Sequence, residues 1–86
     1  MKITHAAVRI EDKRRNTVIV IPCHRHHDAF TILKEFGYAP GDYKIIDQGF
    51  LVDGVTFVDR KMAKTIAHTT GQDNTIGTEL FSEELW

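Results

Sequence analysis

The chain has little of what usually betrays a chemistry. Among its 86 residues there is one cysteine, Cys23, so no disulfide forms within it, which fits a reducing compartment. No apolar run approaches the roughly 20 residues that span a bilayer. Met1-Lys2-Ile3 leads straight into folded-looking sequence, so neither a signal peptide nor a membrane is expected. Neither sign of charge is in excess: 11 Lys+Arg stand against 12 Asp+Glu, a formal charge of -1. A protein that coats DNA or RNA usually carries a strong basic excess, so no nucleic-acid polymer is expected as partner. Repeats, linkers and low-complexity segments are absent from the sequence. Residues 1–86 are expected to form one domain, small enough that homo-oligomerisation is an expected source of stability.

What is there reads as alternating strands and helices. Val8 and Ile10, then Val18 to Ile21, have strand character, with Glu11 to Asn16 turning between them. Ala29, Ile32, Leu33 and Phe36 recur at helical spacing, and Gly37 is placed to stop that helix. Tyr43 to Asp47 reads as a third strand. Asp53-Gly54 between apolar runs is a type I′ hairpin signal, because both turn residues need positive φ. A two-residue turn there would pair Phe50 with Phe57, placing Phe50, Val52, Val55 and Phe57 on one face, with Phe57 in the core. Asp59 is a good N-cap for a second helix, Arg60 to Thr70, with Met62, Ile66 and Ala67 facing inward and Gly71 ending it. The predicted fold is α+β: a small, mainly antiparallel sheet of two hairpins with two packed helices, in the order β-β-α-β-β-α. A short amphipathic tail carries Leu80, Phe81, Leu85 and Trp86, and is expected to dock on a neighbouring subunit.

The densest functional signal is "PCHRHHDAF", Pro22 to Phe30, with three histidines and an arginine in four consecutive positions. Zinc ligands are normally two to four residues apart and drawn from two segments, whereas these are adjacent, so no metal is expected. The stretch His68-Thr69-Thr70 has a His-x-Thr form used by two-histidine phosphodiesterases, but a second such motif is missing. No nucleophile elbow or P-loop is present either, and an enzyme is not expected. Anion binding is the third reading. The cluster precedes a helix whose N-terminal N–H groups favour negative charge, and Arg25 adds a fork suited to phosphate. An ordinary polar loop stands beside it.

The string "GFLVDGVTFVDRKMAKTIAHTTGQ", with "RHHDAF" before it and "LFSEELW" after it, resembles a group of small phage proteins that includes the anti-Thoeris sponges. Members of that family bind the cyclic ADP-ribose isomer made by a bacterial TIR protein and hold it without cleaving it. Related sponges take up cyclic oligonucleotide signals of CBASS defence. The resemblance implies a counter-defence protein in the host cytoplasm that binds a nucleotide messenger, without cofactor. It also implies the ligand-binding set. Phe50 would stack on a base, Arg25 with His26 and His27 would form the basic turn, and Asp59 with Arg60 would follow the hairpin. The alternative is a protein-binding inhibitor of a bacterial defence complex, of the anti-CRISPR kind.

Overall fold

The protein is built around one sheet. In the computed structural model, which describes residues 1–73 and 75–85, β1 spans Ile3–Asp12, β2 Thr17–Cys23, β3 Tyr43–Val52 and β4 Thr56–Asp59. All neighbours are antiparallel, in the order β2-β1-β3-β4. Helix α1, Asp28–Glu35, follows β2, and α2, Arg60–Thr70, follows β4. The predicted β-β-α-β-β-α order is what forms.

The core lies where the helices meet the sheet. Ile3, Ala6, Val8, Ile10, Phe50 and Val52 give it a floor, and Ala29, Leu33, Ala63, Ile66 and Ala67 close it from the helices. Burying one large apolar side chain contributes about 1.5–3 kcal/mol. The sheet's first edge, β2, is seven residues long, and its opposite edge, β4, is four.

Local chemistry explains the helix ends. The Asp59 carboxylate accepts the Met62 N–H at 2.8 Å, satisfying one orphan donor at the start of α2. Gly71 ends α2 with φ 77°, the left-handed conformation glycine adopts without a Cβ clash. Met62, however, is half-exposed, and the buried positions after it are Ala63 and Lys64.

The hairpin after β3 differs from its predicted register. Asp53 and Gly54 have φ of 53° and 78°, and Val55 N–H bonds to the Val52 carbonyl, so the turn itself forms. Val55 then drops out of the ladder, and Val52 pairs with Thr56 and Phe50 with Val58. The turn is gripped from β1. Lys2 N–H donates to the Asp53 carboxylate, Asp53 N–H to the Lys2 carbonyl, and Gly54 N–H to the Thr4 hydroxyl. A one-residue shift reverses every later side chain. Phe57 is therefore opposite Leu51, on the face away from Phe50, and lies half-buried under the Arg9 guanidinium instead of in the core.

The tail packs on its own chain. Leu80 is fully buried in the core, and its N–H bonds to the Arg60 carbonyl. This corrects the expectation of docking on a neighbouring subunit: the gap over α2 is filled by the same chain's Leu80, with Leu85 packed beside it. Phe81, also part of that expectation, remains 43% exposed, and Trp86 lies outside the described residues.

Candidate functional site

The two ends of α1 are built differently. At its start, the chain coils through His26 and His27 in a helical turn before α1 proper. Asp28 N–H bonds to the Arg25 carbonyl, Ala29 N–H to His26 and Phe30 N–H to His27. The Asp28 carboxylate accepts the Arg25 N–H and lies 3.2 Å from His27 Nε2. The donors that would have met an anion are thus engaged with carbonyls, and a carboxylate occupies the same turn. His27 is largely exposed and Arg25 is half-buried.

His26 turns inward. Its Nε2 donates to the Gly49 carbonyl at 2.8 Å, and its ring meets Phe50 edge-on at 5.1 Å. Burial pushes its pKa down, with the Arg60 charge adding to that and the Gly49 carbonyl and Glu83 opposing it. A neutral, buried imidazole is not the charged phosphate donor the sequence suggested. Phe50 is wholly buried. Of the two roles that its position allowed, it has the core one, packed with Val52 among the residues between sheet and helices.

Arg60 donates to the Gln48 side-chain carbonyl at 2.9 Å and lies 4.9 Å from the Phe81 ring centre. The fold does bring His26, Phe50, Asp59 and Arg60 to one region, around Gly49 of β3. Gly49 is required there: a Cβ would strike the Val58 carbonyl and the Phe57 ring. But Asp59 caps α2, Arg60 carries the tail, and His26 holds Gly49. Each has a structural partner.

A polar latch fastens the tail over this region. Lys64, nearly inaccessible, lies 2.6 Å from Asp73 and 2.5 Å from Glu84, and also donates to the Thr75 hydroxyl. Burial opposes the charge on both Lys64 and Asp73. The ion pairs and hydrogen bonds outweigh it, holding the Lys64 pKa above and the Asp73 pKa well below their ordinary values. His68 Nε2 donates to the Thr75 carbonyl from the edge of the group. Cys23 is buried on the core face of β2, and desolvation raises its thiol pKa to about 11, so it is not a thiolate nucleophile at neutral pH.

At the other end of α1 the molecule is open. A cleft of about 790 Å³ lies between β2 and α1, within the 300–1,000 Å³ usual for small-molecule sites. Its floor is apolar, from Ile19, Ile21, Ile32 and Leu33, and Phe36 stands at its side with 76% of its surface exposed. Arg14 and Arg15, from the β1–β2 turn, line one end, and the Arg14 guanidinium is 4.8 Å from the Tyr38 ring centre. Asp12 beneath them accepts the Tyr38 hydroxyl at 2.6 Å and the N–H groups of Arg14 and Arg15. The Tyr38 bond is the chief cause that holds the Asp12 pKa low, with burial opposing it and the two N–H groups reinforcing it. Asp12 thereby fixes the turn that presents both arginines. Among the described residues, no group of three His, Cys, Asp or Glu is arranged to hold a metal.

Fold and cleft define a small α+β protein with an apolar recess rimmed by arginine. The chain belongs to the phage T4 y16D protein family, whose sequence profile matches residues 2–86. No curated protein and no solved structure matches it. It is thus a phage protein, and among the described residues no helix is long and apolar enough to cross a membrane.

Proposed function

We propose that this phage protein is a counter-defence binding protein that sequesters a nucleotide messenger without cleaving it, in the cleft between β2 and α1. One observation carries the reading: an apolar recess of nucleotide size has two arginines and an aromatic ring at the same end. A base or ribose would rest on Ile19, Ile21 and Phe36, and phosphate oxygens would meet Arg14 and Arg15, whose planar forks suit them. Holding rather than reacting is supported by Asp12, whose carboxylate is committed to Tyr38 and to two backbone N–H groups. The family places the chain among phage proteins, the setting in which counter-defence operates. Arg25, His26, His27, Phe50, Asp59 and Arg60 then act as the frame of the opposite end.

The test is uptake and release. The protein is incubated with cyclic ADP-ribose isomers and with cyclic dinucleotides, passed through a desalting column, denatured, and its bound small molecules identified by mass spectrometry. Intact messenger in the released fraction supports sequestration. Cleaved messenger would make the protein an enzyme, and an empty fraction for every candidate would overturn the reading.

A further inference from the structure

The two edges of the sheet are not alike. Edge strand β4 has four residues and ends in a charged Asp59. Edge strand β2, Thr-Val-Ile-Val-Ile-Pro-Cys, has seven residues and no charge. Open edges are templates for further strand pairing, and natural proteins usually blunt them with lysine, proline, bulges or brevity; β2 has one such device, Pro22, near its end, and Thr17 to Ile21 carry none.

Pro22 fixes which backbone groups of β2 are available. Proline has no N–H, so in a strand paired on one side it occupies a position whose N–H direction is outward. Pro22 is opposite Ala7, and its phase recurs every second residue, at Val20 opposite Arg9 and Val18 opposite Glu11. Val18 and Val20 therefore direct their N–H and C=O groups away from β1, along the open edge. Their side chains are exposed by 57% and 37%, and Val20 and Pro22 stand where the cleft reaches the open edge. Ile19 and Ile21 face the cleft.

We propose that β2 is a pairing edge for a second copy of this chain, forming a two-fold dimer in which β2 runs antiparallel to the partner's β2. The strand is self-complementary: reversed about Ile19, Val18 meets Val20 on one face, and on the other Ile19 meets its own copy while Ile21 lies opposite Thr17. A two-fold axis perpendicular to the sheet keeps both α1 helices on the same face. Each cleft, open along its β2 side, then gains a wall from the other copy, and Phe36 has an apolar surface to meet. The seam measures about 23 Å along seven residues at roughly 3.3 Å each, against a molecular thickness of 19 Å. That flat cross-section, roughly 440 Å² per copy and about 880 Å² for the pair, falls below the range of stable interfaces and in that of weak, transient ones. The dimer is accordingly reversible and concentration-dependent. This inference rests on the cleft reading only for its consequence, a completed site; the pairing stands on the edge alone.

The experiment measures mass in solution without any nucleotide, by light scattering after size exclusion over a concentration series. The wild type is expected to move from the 9.8 kDa chain mass towards twice that value. Val20→Pro puts a second proline in the outward phase of Pro22, leaving the β1–β2 ladder intact while removing an outward donor. It is expected to remain monomeric with an unchanged circular dichroism spectrum. If Val20→Pro fails to fold, Val20→Lys places a charge on the same exposed position with the same expected result. Amide exchange of Val18 and Val20 slows with concentration in the wild type if they pair. A wild type that stays monomeric throughout, or a folded Val20 variant that still dimerises, overturns the proposal. A dimer that takes up no nucleotide leaves it standing and counts against the ligand reading instead.

Discussion

The two ends of α1 carry comparable positive charge in the sequence and opposite roles in the structure. Before the helix, Arg25, His26 and His27 belong to a turn whose N–H groups already bond to carbonyls and whose imidazole is buried against Phe50. Beyond its end, Arg14 and Arg15 stand exposed at the rim of an apolar cleft. The denser cluster is the closed one. Charge in a sequence marks where an anion is affordable; only the backbone and the neighbouring carbonyls decide whether a donor is left to meet it.

The largest expected effect breaks the closed end. Phe50→Ala should lower stability by about 3–5 kcal/mol, the usual range for removing a fully buried phenylalanine. Urea unfolding checks this, and a loss below about 1 kcal/mol would return Phe50 to the exposed, base-stacking role. Leu80→Ala should cost about 2–5 kcal/mol, independent of protein concentration, because the tail fills its own core. If the loss vanishes on dilution, the tail is an interface after all.

Smaller effects sharpen the same contrast. Lys64→Met should lower the melting temperature at neutral pH, since it leaves Asp73 buried beside Glu84 without its cation. The sign in acid follows from the Asp73 carboxyl, whose folded pKa is depressed. Its contribution is complete above the ordinary value of 3.8 and is lost as pH falls from there through the lower folded value. Thermal scans across pH 2–6 should show the wild type losing stability below about pH 4 and the variant losing less. The smallest effect concerns His26. Its folded pKa is depressed below 6.5, so its contribution is complete above 6.5 and declines as pH falls from there. His26→Gln should flatten that part of the stability profile, as thermal scans between about pH 5 and 8 would show.

Much of the fold was legible because its signals are local. Asp59 and Gly71 bracket α2 at the predicted residues, Asp53-Gly54 makes the predicted turn, and Gly37 follows α1 with φ 83°. The hairpin register was not legible, because it depends on Lys2 and Thr4 gripping a turn some 50 residues away. The burial of Lys64 was not legible either, since its partners come 9 and 20 positions later. The closed state of the histidine turn depends on the Gly49 carbonyl, 23 residues on. The cleft is assembled from two separate stretches, Asp12–Pro22 and Ile32–Tyr38, neither of which carries a motif. Arg14 and Arg15 could have been singled out only as an arginine pair in a tight turn, with a buried Asp before it to fix their direction.

One measurement tests the central claim most directly: titration calorimetry of a cyclic ADP-ribose isomer against wild type, Arg14→Ala/Arg15→Ala and Arg25→Ala, side by side. The account predicts that the double variant loses affinity by about 10- to 100-fold, the equivalent of a charge-assisted hydrogen bond worth about 1.5–3 kcal/mol, with an unchanged melting temperature. Arg25→Ala should bind as the wild type does. Affinity lost in Arg25→Ala and kept in the double variant would place the ligand at the histidine turn and contradict the account.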